Sequence, residues 1–208
     1  WQWAEENIVF GPRQPTARQG KYKSDFTPFV RPILDLLTHG RKPIVVWKSP
    51  AQVSKTTTGF VWKMYCIKNR PGPMLVVLST KDIAEDTAEE RFIPMIEDSP
   101  ALLAEVSKTD KYPLRKDKQK FVHMSIDWIG PNSVADATSR PKKYVMLDEI
   151  NKYKESLKDE GALIEMLLNR MTTFPGSMAL MSSSENMRWK DTSAECPPSQ
   201  YRLTMTQK

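Results

Sequence analysis

Four short apolar runs constrain this chain more than any other feature. Pro43 to Trp47, Met74 to Leu78, Tyr144 to Leu147 and Ser177 to Met181 show no alternation of polar and apolar residues. Strands that are apolar all round are buried on both faces, as in a parallel sheet covered by helices. Helical segments lie between them. Lys55 to Asn69 puts Phe60, Val61, Met64, Tyr65 and Ile67 in a helical stripe and stops at Arg70-Pro71-Gly72-Pro73. Thr80 is placed to cap a helix over Lys81 to Ile96, with Asp82 and Glu85 in its first turn and Pro94 kinking or ending it. Shorter helices are predicted over Pro28 to Leu37 and Ala162 to Thr172. From Lys120 to Ile129, Val122, Met124, Ile126 and Trp128 alternate with Phe121, His123, Ser125 and Asp127, the period of a half-exposed strand closed by a turn at Gly130 to Ser133. The whole predicts an α/β domain with a mainly parallel sheet and helices on both faces. Residues 1–32 read as an extended arm, 33–186 as the core, and 187–208 as an irregular tail or the start of a linker.

Composition sets bounds on function. A chain of 208 residues can bury one sizeable core. Its net charge of +6 suits a polyanionic partner without requiring one. The densest basic stretch runs from Lys108 to Lys120, diluted by Asp110 and Asp117, and reads either as a solvated loop or as a contact to a phosphate backbone. Cys66 and Cys196 lie far apart and supply neither a disulfide framework nor metal-ligand spacing. No apolar run is long enough to span a bilayer, and the start on Trp1 is not a secretory signal but reads as a trimmed chain.

The segment Ser49-Pro50-Ala51-Gln52-Val53-Ser54-Lys55-Thr56 joins the first strand to its helix, the context a phosphate-binding loop needs. Lys55 and Thr56 occupy the Lys-Ser/Thr places of such a loop, and serines stand where both glycines are usual. Lys55 can reach the β- and γ-phosphates of ATP, and the Thr56 hydroxyl can ligate Mg2+. Serine allows close approach of a phosphate but tolerates positive φ less well than glycine. Lys48, just before the loop, competes with Lys55 for the phosphate role. The apolar run at 144–147 ends in Asp148-Glu149, at the sheet edge where ligands bind in open α/β folds. There Asp148 can hold Mg2+, and Glu149 can orient a water for in-line attack. Ser182, Ser183 and Ser184 end the next strand, either as sensors of the γ-phosphate or as simple turn residues. Arg140 is the first candidate for offsetting transition-state charge, with a structural ion pair as its alternative; Arg91 and Arg170 are weaker candidates.

These residues, in this order, resemble the ATPase domain of the lambda-like phage large terminase subunit. Gly20-Lys21-Tyr22-Lys23, Thr27-Pro28-Phe29 and Ile33-Leu34-Asp35 resemble the segment before that family's phosphate loop. Val46 to Val53 resembles the loop itself, with one residue inserted at Pro50. Ala137 to Pro141, leading into Val145 to Glu149, resembles its arginine-containing segment and Walker B strand. Ser183-Ser184 stands at its coupling motif. Ser54 replaces the family's loop glycine, and Glu185 its coupling-motif proline.

The resemblance covers about residues 20 to 186 and implies a RecA-like additional-strand (ASCE) P-loop ATPase fold. It implies ATP-driven packaging of double-stranded DNA into a procapsid in the host cytoplasm. The implied partners are a small terminase subunit and a portal protein, with a homo-oligomeric ring on the procapsid and no membrane. In the phosphate loop it assigns nucleotide contacts to Lys48, Ser49, Gln52, Val53, Ser54, Lys55 and Thr56. Tyr22 and Phe29 become the aromatic candidates for an adenine contact. The chain ends near where the family's nuclease domain would begin, so no nuclease activity is expected of these residues. Two other readings fit the residues: a helicase-type or partition-type ATPase on the same fold, and a non-enzymatic nucleic-acid-binding module with a degenerate loop.

Overall fold

The buried apolar runs become neighbouring strands of one sheet. A computed structural model of the chain describes residues 1–14, 19–39, 43–133, 140–155, 160–184 and 201–204. Helix α1 (Gln2–Asn7) leads into the short pair β1 (Val9–Phe10) and β2 (Gly20–Lys21), and then α2 (Val30–His39). Strand β3 (Ile44–Lys48) feeds the long helix α3 (Lys55–Asn69), and β4 (Met74–Val77) feeds α4 (Lys81–Thr87). A π-helical turn, Ala88–Phe92, joins α4 to α5 (Ile93–Asp98), and α6 (Pro100–Leu103) follows. The hairpin β5 (Lys118–Lys120) and β6 (Ser125–Ile129) precedes β7 (Tyr144–Leu147), α7 (Glu160–Met171), β8 (Met178–Ser183) and β9 (Tyr201–Thr204).

The sheet runs β5-β6-β4-β7-β8-β3-β9, parallel throughout except for β5. β8 lies between the strand leading into the phosphate loop and the strand ending in Asp148, so it is the additional strand that the resemblance implies. Side chains alternate across each strand. Val45 and Trp47 of β3 and Tyr144 and Met146 of β7 face a core shared with α1 to α6. Val145, Leu147, Ala179 and Met181 face a second core under α7. Helices therefore cover both faces.

Four expectations need correcting. The N-terminal arm is not extended. Ala4 and Ile8 are fully buried, Trp3 meets Tyr65 of α3 edge-on with ring centroids 5.6 Å apart, and Ser24 donates through its backbone and hydroxyl to Glu5 at 2.8 and 2.6 Å. Those two bonds hold the Glu5 carboxyl below its ordinary range. The predicted strand over 120–129 is instead a hairpin: β6 keeps the alternation of buried Ile126 and Trp128, while 121–124 turn back to β5. The tail is not wholly irregular, because residues 201–204 pair in parallel with β3 and occupy an edge that β3 would otherwise leave unpaired. Pro94 does not end its helix, which runs on to Asp98, and the interruption comes as the π turn just before it. Pro94 sits in the first turn of α5, directly after the π turn, where no N–H is needed.

Candidate functional site

The C-terminal ends of three adjacent parallel strands, β3, β8 and β7, converge with the first turn of α3 on one carboxylate. Asp148, 2% exposed, accepts from the Thr56 hydroxyl at 2.8 Å on one oxygen and from the Ser182 hydroxyl on the other. Thr56 and Asp148 lie 92 residues apart in sequence and meet because α3 packs tightly on β7. Gly59 is what permits it: a Cβ there would lie 2.3 Å from the Met146 side chain.

The loop itself meets its backbone requirement without glycine. Gln52 and Ser54 both adopt φ of 61°, the left-handed region, and Ser54 stands at the N-cap of α3. The loop is closed at its start by Ser49, whose N–H donates to the Ser183 carbonyl at 3.2 Å. Lys55 is 7% exposed and curls back, its Nζ donating to the carbonyls of Ser49 at 3.1 Å and Pro50 at 2.6 Å. Burial lowers the Lys55 ammonium from its ordinary value, against the pull of Asp148 and Glu149. Among the described residues, the buried Ser49 hydroxyl finds no hydrogen-bond partner. Glu149 also takes positive φ, 54°, and forms an ion pair with Lys152 one turn on. A left-handed non-glycine residue at the end of a buried strand stores strain, a habit of functional sites.

Lys48 lies on the other face. Alternation along β3 sets it with Ile44 and Val46, on the α7 side, beside Ser183 in register. On that side Ser183 donates to Asn151 Oδ1 at 3.2 Å, and Asn151 Nδ2 donates to the Ser184 hydroxyl at 2.9 Å. Asn151 has no distinguishing motif around it, and sequence reasoning passed over it. Val53 packs against the α3-side core.

Tyr22, 6% exposed, lines a cavity of about 260 Å³ beside the loop, with Ser54, Thr57 and Arg91 on its inner wall. Phe29 packs on the core, and Phe10, Phe26 and Phe60 are the other rings lining that cavity. Arg140 does not join the site. It is exposed, just before Lys142, whose N–H donates to the Arg170 carbonyl at the opposite edge of the sheet. Arg170 shares that far edge. Residues 137–139 of the arginine-containing segment, Glu185 and Cys196 lie outside the described residues. In the basic stretch, Arg115, Lys116, Lys118 and Lys120 pair with Asp117, Glu85, Asp127 and Asp110, so much of its charge is neutralised within the fold.

Among the described residues no cluster of three His, Cys, Asp or Glu side chains could hold a metal alone. The oxygens of Thr56 and Asp148 fit Mg2+, which takes one or two protein oxygens and completes its shell with phosphates and water. No helix among the described residues is long and apolar enough to cross a membrane.

A family model described as phage terminase large subunit gpA, ATPase domain, matches residues 16–196. No curated protein matches the chain. Among solved structures, the large terminase from the thermophilic bacteriophage D6E matches at 14% identity with a TM-score of 0.51, over 74% of this chain and 38% of that one. At that identity the likeness speaks for the fold, and this chain spans well under half the length of the D6E protein.

Proposed function

Because the chain belongs to the phage terminase large subunit gpA ATPase-domain family, we propose that it is the ATP-hydrolysing domain of a motor that drives double-stranded DNA into a procapsid. The observation that carries the reading is the Thr56 hydroxyl bonded to Asp148 at 2.8 Å, beside a lysine held within its own loop. A loop threonine and a strand-end aspartate in contact are the two protein oxygens that a magnesium-bound triphosphate needs side by side.

In this reading Lys55 exchanges the Ser49 and Pro50 carbonyls for the β- and γ-phosphates. The Ser49 hydroxyl and the N-terminus of α3 offer further donors to the phosphate chain. Thr56 and Asp148 hold Mg2+, which when bound neutralises charge on the phosphates. Glu149 leaves Lys152 to orient the attacking water. Tyr22 packs against the base, and Phe29 supports it from the core. Ser182, bonded to Asp148, and Ser183 with Ser184, bonded to Asn151, relay loss of the γ-phosphate along β8. Lys48 stands beside Ser183 on that relay rather than on the phosphates, and Gln52 and Val53 shape the loop. Arg140 serves a neighbouring copy's site. The packaging role brings double-stranded DNA, a small terminase subunit, a portal protein and a ring of copies in the host cytoplasm.

The test is a pair of variants. Lys55→Ala should abolish both binding of a non-hydrolysable ATP analogue and turnover. Glu149→Gln should keep binding and lose about 100-fold or more in phosphate release. Normal hydrolysis by both variants would sink the assignment.

A further inference from the structure

The phosphate loop from Ser49 to Thr56 carries no arginine, and Arg140 lies on the far edge. Most other described arginines are held elsewhere. Arg13 pairs with Glu97 and Asp98, Arg31 with Asp25 and Arg115 with Asp117, while Arg70 donates to the Thr38 carbonyl at 2.8 Å. Arg91 differs. It projects from the π turn between α4 and α5 into the cavity beside the loop, where Ser54 and Thr57 form the wall. Its guanidinium carbon lies 5.2 Å from the centre of the Phe60 ring, and among the described residues no carboxylate is within ion-pair distance. Its carbonyl accepts from Gln14 Nε2 at 3.0 Å, so the folded N-terminal segment fixes the turn that carries it. Burial works against its charge, and the one acidic group that supports it is Asp148, acting at longer range.

We propose that Arg91 contacts the phosphate chain of the bound nucleotide within its own subunit, from the α4–α5 side of the loop. The proposal rests on the nucleotide site assigned above. A half-buried guanidinium with no carboxylate partner, near the positive end of a 15-residue helix, is electrostatically unsatisfied until an anion arrives. Its planar fork of donors matches phosphate oxygens, and stacking on Phe60 sets its plane in advance. The aromatic wall at Tyr22 takes the base, which leaves the arginine for the charged end of the ligand. π turns of this kind are frequent at functional sites, because they turn one residue out of the helical register.

Arg91→Met keeps a stem to pack on Phe60 and removes the donors. Titration of the chain with a non-hydrolysable ATP analogue and with adenosine separates the possibilities. Arg91→Met should weaken the analogue by about tenfold or more, the scale of a lost charge-assisted pair, and leave adenosine within about twofold. Arg91→Lys should fall between the two, because it keeps the charge and loses the fork; it also serves if the methionine variant does not fold. Equal analogue affinity in wild type and both variants overturns the role of Arg91 alone. Equal losses for analogue and adenosine also overturn it, since the residue would then only shape the cavity. A wild-type protein that binds adenosine and the analogue with the same affinity, or binds neither, overturns the nucleotide site as well.

Discussion

Ser54 holds the entry to α3 in a left-handed conformation, with φ of 61° and ψ of 24°. A side chain in that region costs about 1–2 kcal/mol, and glycine occupies it freely but gives back about 0.5–1 kcal/mol through its looser unfolded chain. Ser54→Gly should therefore stabilise the fold by roughly 0.5–1 kcal/mol, raising the melting temperature by about 1–4 °C. A lower melting temperature for Ser54→Gly would mean that the serine hydroxyl supplies more than the strain removes. The sequence shows serine where glycine is usual but is silent on whether the backbone still takes the glycine conformation. That is decided by the Thr58 N–H and hydroxyl, which bond the Ser54 carbonyl at 2.8 and 2.9 Å. The rivalry of Lys48 and Lys55 was likewise open in the sequence, where both flank one loop. Strand alternation separates them by putting Lys48 on the α7 face.

Helix α3 carries a second lysine that no motif announces. Lys63 is fully buried, with its Nζ 3.3 Å from the Met146 sulfur and 4.4 and 4.5 Å from the ring centres of Trp128 and Phe60. Burial pulls its ammonium down to about 7; Asp148 opposes that shift and Arg91 adds to it. The rings favour the cation, but by less than the lost hydration. The sign of the pH dependence follows. Below about pH 7 both folded and unfolded chains carry the charge, and the folded state bears the full penalty. As pH rises past 7 the folded lysine sheds its proton while the unfolded one keeps it to about 10.4, so stability climbs. Lys63→Met, similar in length and apolar, should raise the melting temperature most at pH 6 and progressively less towards pH 9.5. A gain that does not depend on pH would mean that Lys63 is already neutral at pH 6. In the sequence, Lys63 falls outside the apolar stripe read for its helix, but the helix is buried on nearly every face from Thr58 to Ile67, as the approach of Trp128 and Phe92 from other elements shows. The π turn was equally hidden: Pro94 signalled an interruption but not its kind.

At the scale of the molecule, parallel strands sort every loop to one of two edges. The side chains proposed to hold the nucleotide gather at the C-terminal edge, and Arg140 sits beyond the N-terminal end of β7. β7 alone, at four residues, sets the edges about 13 Å apart. This ordering was legible in the sequence, because apolar runs ending in Lys48-Ser49, Asp148-Glu149 and Ser182-Ser183 all put their polar ends on one side once the strands are parallel. The same rule puts Arg140 on the opposite edge, because it precedes a strand instead of following one, so its distance from the loop was legible as well. An exposed arginine on the far edge cannot reach its own phosphates, but a neighbouring copy in a ring can present that edge to them. Arginines supplied between subunits commonly accelerate phosphoryl transfer by about 10³–10⁵-fold. Arg140→Ala should therefore leave nucleotide affinity unchanged in the isolated chain and lower turnover by about 100-fold or more in the full-length protein assembled on procapsids. The decisive form is a mixture. Arg140→Ala copies keep a complete nucleotide site but donate no arginine, and Lys55→Ala copies donate the arginine but bind no ATP. Co-assembly should restore turnover that neither variant shows alone, rising as the two approach equal amounts. If the mixture stays as inactive as its parts, Arg140 acts only within its own chain, and the neighbour's contribution must come from some other residue.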